Sequence, residues 1–159
     1  MVTELEGDLI EAAKKGEVGV IAHGCNCYCV QKKGFALEMA KNFQTDRFPL
    51  EDKSYCGDYN KLGQIDYKLI SISKEHTVWV VNMYGQYHWS VPSQYGIPLD
   101  YDALKLCFRK LNYEFKGYNI GLPGLIGSGL AKGKPALIKE LIASELINTD
   151  VFIYYPKNQ

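Results

Sequence analysis

The feature that most constrains the fold is a short apolar segment, residues 18–22, that runs directly into His23-Gly24-Cys25-Asn26. An unbroken apolar run of this length predicts a strand covered on both faces, as in parallel sheets. Polar side chains at the end of such a strand lie at the carboxyl edge of the sheet, where α/β proteins bind ligands. Residues 34–43 then carry apolar side chains at helical spacing. The segment therefore predicts a strand-to-helix crossover with a ligand site at its turn.

The rest of the chain alternates in the same way between strand and helix patterns. Predicted strands cover residues 2–6, 63–71, 77–83, 118–122 and 150–155, and further helices cover residues 9–13, 101–115 and 135–147. The segments between them, above all 44–61 and 84–99, are predicted to be irregular. This alternation predicts an α/β fold with helices on both faces of a mixed sheet. No boundary divides the pattern, so we expect one domain over residues 1–159.

Charge and hydropathy exclude several classes of partner. Eighteen Lys and Arg residues balance eighteen Asp and Glu residues, which argues against a polyanion-binding surface and against nucleic acid as the primary partner. No apolar run approaches the roughly 20 residues of a membrane span. The N-terminus lacks the basic head and apolar core of a signal peptide. We expect a cytoplasmic monomer with no membrane partner.

Five cysteines raise the question of a disulfide framework or a metal site. Their odd number and the missing export signal argue against disulfides. On an extended chain the three thiols of residues 25–29 would share one face with His23, but zinc ligands are usually spaced more widely, as C-x₂₋₄-C. No cysteine stands at a clear helix N-terminus beside a base, as a nucleophile would. We expect packing thiols, no metal and no cofactor; the five are Cys25, Cys27, Cys29, Cys56 and Cys107.

A second glycine-rich segment, Gly127-Ser128-Gly129-Leu130-Ala131, follows the strand predicted over residues 118–122. Glycine lets the backbone approach an anion closely, and successive N–H groups then form an anion-binding nest. A tight strand-to-helix turn is the alternative interpretation of one such loop. Two glycine loops, this one and the one at Gly34, favour a diphosphate site, because they can meet its charge from two sides.

These motifs, taken in order, resemble those of macro domains, the modules that bind ADP-ribose, and the resemblance covers essentially the whole chain. The matching segments are Gly7-Asp8-Leu9, His23-Gly24-Cys25-Asn26, Gly34-Phe35-Ala36 and Gly127-Ser128-Gly129-Leu130-Ala131. Tyr84-Gly85-Gln86-Tyr87-His88 is similar to the branch of ADP-ribose 1''-phosphate phosphatases found in bacteria and phages. The resemblance implies a three-layer α/β/α fold with a central mixed sheet, and ADP-ribose or a derivative as the small-molecule ligand.

The resemblance also assigns binding roles. Asp8 takes the adenine amino group; it can cap a helix at the same time, since a carboxylate has several lone pairs. Asn26 contacts the distal ribose, and the two glycine loops hold the diphosphate. Tyr154 or Tyr155, at the end of the last strand, is the candidate for stacking on adenine, and we favour Tyr155.

For catalysis the leading residue is His23, since histidine titrates near neutral pH and can act as a general acid or base. With Asn26 fixing the ribose, it would protonate a leaving oxygen or activate a water that attacks the 1''-phosphate. The alternative is a buried histidine that holds the loop by hydrogen bonds. His88 and Glu38 are further candidates, each more typical of a solvated position.

Two departures from the family pattern keep three functions open. Lys32 and Lys33 stand where this branch usually carries small residues, and Ala131 stands where some macro-domain hydrolases carry a catalytic aspartate. The resemblance favours a phosphatase of ADP-ribose 1''-phosphate. The alternatives are a hydrolase of ADP-ribosyl or O-acetyl-ADP-ribose substrates, and a non-catalytic reader of ADP-ribose.

Overall fold

The computed structural model describes residues 1–51, 56–124 and 132–157. Within these residues one sheet is built from β1 (Val2–Glu6), β2 (Val20–Asn26), β3 (Ile65–Ser73), β4 (His76–Gln86), β5 (Asn119–Pro123) and β6 (Asp150–Tyr155). The strands lie in the order β1-β6-β5-β2-β4-β3. All neighbours pair in parallel except β3 and β4, which pair antiparallel. Polar segments that follow the parallel strands therefore meet at one edge of the sheet.

Helices cover both faces of this sheet. They are α1 (Leu9–Lys14), α2 (Gly34–Phe43), α3 (Phe48–Glu51), α4 (Tyr101–Glu114) and α5 (Pro135–Glu145). Apolar side chains of α1, α2 and α3 pack with Ile21 and Val80 on one face. Those of α4 and α5 pack with Val20 and Val81 on the other. The predicted three-layer α/β/α fold with a mixed sheet is confirmed. No helix in the described part of the chain is long and apolar enough to cross a membrane.

Local chemistry fixes where α1 starts, at the carboxyl edge of the sheet. Asp8 is its N-cap, and the carboxylate accepts a hydrogen bond from the Glu11 N–H at 3.1 Å, the usual way to satisfy a free helix N–H. Gly121 of β5 lies beneath the helix, and a Cβ there would lie 2.5 Å from Leu9 Cδ1. The glycine lets α1 pack closely on the sheet, which places Asp8 at the strand ends.

Every predicted strand and helix forms, but β2 and β4 end at least three residues later than predicted. β2 continues to Asn26 and β4 to Gln86, because their parallel pairing persists to the sheet edge. His23 and Asn26 therefore belong to a strand and not to the loop after it. The segment predicted to be irregular also holds α3 and two 3₁₀ turns, at Thr45–Arg47 and Tyr59–Lys61. Elements of three or four residues are too short to show a periodic pattern.

Candidate functional site

A cleft of about 1760 Å³ opens at the carboxyl ends of the parallel strands. Its walls are the segments that follow β1, β5 and β6, the ends of β2 and β4, and the start of α2. The volume exceeds the roughly 300–1,000 Å³ of most small-molecule pockets, so an extended ligand has room. The predicted site residues that line it are Asp8, Leu9, His23, Gly24, Cys25, Asn26, Gly34, Phe35 and Ala36.

The second predicted glycine loop, Gly127-Ser128-Gly129-Leu130-Ala131, lies outside the described residues. The strand that leads to it, β5, ends at the cleft, where Pro123 and Gly124 form part of the wall. The assignment of the loop to a diphosphate stays a prediction.

The start of α2 offers the cleft a positive surface. Gly34 has φ of +60°, a left-handed conformation that glycine adopts without steric cost. Lys33 is the N-cap and makes no side-chain capping bond, which leaves the first helix N–H groups open to an outside acceptor. The helix dipole and the exposed Lys32 and Lys33, which also line the cleft, add positive charge there. This arrangement favours an anionic ligand group.

Beside α1 the cleft combines a carboxylate with an aromatic ring. The Asp8 side chain is exposed, and its Oδ1 accepts the capping bond from Glu11, so lone pairs of Oδ2 remain for a ligand donor. The Tyr154 ring lies against Gly7, where a Cβ would be 3.6 Å from Tyr154 Cδ2, and Tyr154 is part of the cleft wall. Tyr154 is 7% exposed, so a small part of its ring gives the cleft an apolar contact, and with the Asp8 carboxylate this suits a base that carries an amino group.

Tyr155, the tyrosine favoured from the sequence, lies on the other face of the sheet. Successive residues of a strand point to opposite faces. The Tyr155 hydroxyl donates to Glu4 Oε1 at 2.8 Å, and Lys139 Nζ lies 5.7 Å from its ring centre. Its ring also covers Gly124, where a Cβ would lie 2.3 Å away. The structure thus brings Tyr154, and not Tyr155, together with Asp8.

His23 lies on the floor of the cleft and is only 1% exposed. Its Nε2 lies 2.6 Å from Oδ1 of Asn82 on the neighbouring strand. The Asn82 amide nitrogen donates to the Thr45 carbonyl and to the Asp66 carboxylate, each at 2.9 Å. The Asp66 carboxylate in turn accepts from the Tyr84 hydroxyl at 2.6 Å. A continuous buried network therefore runs from the cleft floor to the antiparallel edge strand.

This network fixes the protonation state of His23. Since the Asn82 nitrogen donates twice, its oxygen faces His23, and Nε2 must carry the proton and donate. Burial lowers the pKa of His23 to about 4, although the hydrogen bond that its ring donates to Asn82 opposes the shift. At neutral pH the ring is uncharged, and Nδ1 keeps its lone pair. Nδ1 lies 4.0 Å from the Cys25 thiol, and His23 holds no proton for a leaving group in the cleft.

The Asn26 side chain is largely committed to the turn that follows β2. Its oxygen accepts from the N–H groups of Tyr28 and Val30, at 3.0 and 3.2 Å, and its nitrogen donates to the Val30 carbonyl at 2.9 Å. An amide oxygen has two lone pairs and an amide nitrogen two protons. Asn26 can therefore offer one N–H to a ligand in the cleft and no further acceptor.

The three clustered thiols are buried and pack together with Tyr84. Burial raises the pKa of Cys27 and of Cys29 to about 12 and that of Cys25 well above its ordinary value. All three are thiols at neutral pH, and this burial agrees with packing residues. Among the residues that the structure describes, no three His, Cys, Asp or Glu side chains are grouped so that they could hold a metal ion.

Sequence reasoning missed two residues that shape the site, Asn82 and Trp89. Asn82 interrupts the otherwise apolar run of β4, whose side chains are buried on both faces; a lone polar residue in such a strand signals a buried hydrogen-bond partner. Trp89 lines the cleft from the segment after β4, and no periodic pattern marks a residue in an irregular segment.

No protein-family model matches the chain. An uncharacterised 17.5 kDa protein in the tk-vs intergenic region of Enterobacteria phage T4 is 29% identical over 151 residues, which cover 89% of this chain and 88% of that protein. A solved structure of a protein of unknown function from Bacteroides thetaiotaomicron is 26% identical, with 98% of both chains covered and a TM-score of 0.73.

Other solved structures with a similar fold are macrodomains. A macrodomain protein from Streptomyces coelicolor superposes with a TM-score of 0.67 at 24% identity, covering 97% of this chain and 98% of that one. The Trypanosoma brucei macrodomain, solved in complex with ADP-ribose, superposes with a TM-score of 0.59 at 13% identity, covering 98% of this chain and 63% of that one. At these identities the likeness concerns the fold. The chain has the macrodomain fold.

Proposed function

We propose that the cleft binds ADP-ribose. One observation carries the proposal: a single cleft contains the chemistry that each part of this ligand needs. A carboxylate and an aromatic ring suit adenine, an uncapped helix N-terminus with two lysines suits a diphosphate, and an amide donor suits a ribose hydroxyl. The ADP-ribose complex of a macrodomain with this fold supports the proposal.

The adenine lies between Asp8 and Tyr154. The exocyclic amino group donates to the free oxygen of the Asp8 carboxylate, which distinguishes adenine from a base that carries a carbonyl at that position. The Tyr154 ring and the half-buried Phe35, which also lines the cleft, provide apolar contact for the base.

The diphosphate lies at the start of α2, and the distal ribose lies at the end of β2. The N–H groups of residues 34–36 donate to phosphate oxygens, and Lys32 and Lys33 add charge that water screens in part. The remaining N–H of Asn26 donates to a ribose hydroxyl. His23, neutral and held by Asn82, presents Nδ1 as an acceptor for a second hydroxyl.

Titration calorimetry with ADP-ribose tests the proposal directly. We expect one saturable site per chain. AMP and ribose 5-phosphate bind more weakly than ADP-ribose, because each meets only part of the cleft. No heat of binding for ADP-ribose, with ATP bound instead, would overturn the assignment of the distal ribose to Asn26.

The base assignment has its own sharp test in Asp8→Asn. Asparagine caps a helix about as well as aspartate, so α1 keeps its start, but the free oxygen becomes an N–H₂ donor. This variant should lose affinity for ADP-ribose and gain it for the hypoxanthine analogue, whose carbonyl accepts. Asp58→Asn is the matched control, since Asp58 also caps a turn, accepting from the Asn60 N–H at 2.9 Å, and lies outside the cleft wall. An unchanged preference in Asp8→Asn would contradict the role of Asp8.

A second function, hydrolysis of ADP-ribose 1''-phosphate, is favoured because His23, whose Nδ1 keeps a lone pair, and Asn26 line the same cleft. In this step a water attacks phosphorus and the bond from phosphorus to the ribose oxygen breaks. Nδ1 accepts a proton of the attacking water, and the ribose oxygen takes its proton from solvent water, since His23 has none to give. A base works best when its pKa lies near the working pH, so the lowered pKa of His23 predicts a slow reaction at pH 7.

Phosphate release from ADP-ribose 1''-phosphate separates the remaining functions. A phosphatase releases phosphate in the wild-type protein and loses that activity in His23→Phe and in Asn26→Ala. Binding of ADP-ribose without phosphate release indicates a reader. Release of ADP-ribose from an ADP-ribosylated or acetylated substrate, with no phosphatase activity, indicates the hydrolase instead.

A further inference from the structure

A group of four partly exposed aromatic side chains borders the cleft beyond Asn26. This aromatic rim consists of Tyr28, Tyr87, His88 and Trp89. It adjoins the ribose end of the cleft, because the Asn26 oxygen accepts from the Tyr28 N–H at 3.0 Å and Trp89 itself lines the cleft. The ADP-ribose parts assigned above make no use of these rings.

Trp89 is exposed but held in place. The indole is 47% exposed, unusual for a residue type that is highly buried on average. His88 stacks on one face at 3.7 Å between ring centres, with 26° between the ring planes. The edge of Tyr28 meets the indole with 5.7 Å between centres and 84° between planes. One face of the indole is therefore covered by protein, while much of the ring stays open to solvent.

The supports of Trp89 are fixed in turn by the backbone. His88 Nδ1 accepts from the N–H groups of Ser90 and Val91, at 3.0 and 3.2 Å, which anchors the stacking ring. The hydroxyls of Tyr28 and Tyr87 lie 3.1 Å apart, and the Tyr87 hydroxyl also donates to the Gly57 carbonyl at 3.0 Å. Ordering the indole costs little on binding, because it is already positioned.

We propose that Trp89 is a stacking platform for a planar aromatic heterocycle joined to C1'' of the distal ribose. The inference rests on the proposed function, since Asn26 must hold that ribose. A ring bound directly to C1'' extends only a few ångströms past the ribose, toward the side of the cleft that Trp89 occupies. Nicotinamide, as in NAD, and a nucleobase that carries ADP-ribose on a ring nitrogen share this chemistry.

Four ligands, compared by calorimetry, test the platform. ADP-ribose carries only a hydroxyl at C1'', its 1''-O-methyl derivative carries a methoxy group there, and NAD and an ADP-ribosylated nucleoside carry a ring. Stacking of a base on an aromatic side chain makes the ring-bearing ligands bind about 10-fold more tightly than the methyl derivative. Trp89→Ala abolishes this difference, Trp89→Phe keeps part of it, and neither changes the affinity for ADP-ribose.

Tyr113→Ala is the matched control, because Tyr113 is 77% exposed and lies on α4, outside the cleft wall. A gain for NAD alone identifies nicotinamide as the ring, and a gain for the nucleoside alone identifies a nucleobase. Equal affinities of the ring-bearing and methyl ligands for the wild-type protein overturn the platform while the proposed function stands. No binding of ADP-ribose itself overturns both.

Fluorescence gives a second, independent readout. The chain has two tryptophans, and Trp79 packs with Tyr67 and Phe115 on the α4 face of the sheet. In Trp79→Phe the tryptophan emission comes from Trp89 alone. We expect a ligand whose ring stacks on Trp89 to quench this emission, and ADP-ribose to leave it unchanged. Equal quenching by the methyl derivative and by NAD would contradict stacking.

Discussion

Replacing Asn82 by alanine tests the buried network beneath the cleft. The substitution strands the buried Nε2–H of His23, which loses its acceptor, and removes the two bonds that Asn82 donates to the Thr45 carbonyl and the Asp66 carboxylate. A stranded buried group costs about 1–3 kcal/mol and each of the two lost hydrogen bonds about 1 kcal/mol, so we expect the free energy of unfolding to fall by about 4 kcal/mol. For a chain of this size that loss corresponds to a decrease in Tm of roughly 8–16 °C.

Urea unfolding followed by circular dichroism measures this loss. Asn60→Ala is the control, because Asn60 is exposed and surface substitutions usually change stability by about 0.5 kcal/mol or less. Combining Asn82→Ala with His23→Phe removes the stranded N–H, so the double variant should be more stable than the sum of the single losses by about 1–2 kcal/mol. Strict additivity, or a loss below about 1 kcal/mol for Asn82→Ala, would refute the network.

Three further outcomes follow from the site. Tyr154→Leu weakens ADP-ribose binding about 10-fold and Tyr155→Leu leaves it nearly unchanged; calorimetry giving the reverse ranking would contradict the placement of the two rings. Burial lowers the pKa of His23 to about 4 from an ordinary 6.5, so the unfolded chain is protonated first as the pH falls. The free energy of unfolding that depends on a neutral His23 is fully present above pH 6.5 and falls by about 3 kcal/mol as the pH approaches 4. Urea unfolding at pH 7 and at pH 5 measures this fall. If His23→Phe showed the same dependence on pH, the fall could not be assigned to His23. Exchanging Lys32 and Lys33 for serine weakens binding more at 50 mM than at 500 mM salt, whereas a loss independent of salt would mean that the lysines act by contact and not by charge.

The fold could be predicted from the sequence because its parallel strands are apolar throughout and its long helices are periodic. The motif at His23 marked the right strand end, and Asp8 and Gly34 marked the right helix starts. These residues carry signals that act locally: a cap, a positive φ and a change from apolar to polar residues. Each of these signals can be recognised in the sequence without knowing which strands are neighbours.

What the sequence did not reveal depends on contacts between distant segments. Tyr154 and Tyr155 are equivalent in the sequence, and only the register of β6 against β1 and β5 decides which face each ring occupies. The partner of His23 lies 59 residues away, so its neutral state had no local signal. Trp89 belongs to an irregular segment, and its place on the cleft depends on a stack with His88 that no spacing rule predicts.

A crystal structure of the chain with ADP-ribose is the most direct test of the central claim. The account predicts adenine against Tyr154 with its amino group on Asp8, phosphate oxygens at the N–H groups of residues 34–36, and the distal ribose on the free N–H of Asn26. Its C1'' would then face Trp89. Adenine at the Trp89 end of the cleft, or ADP-ribose bound outside it, would contradict the account.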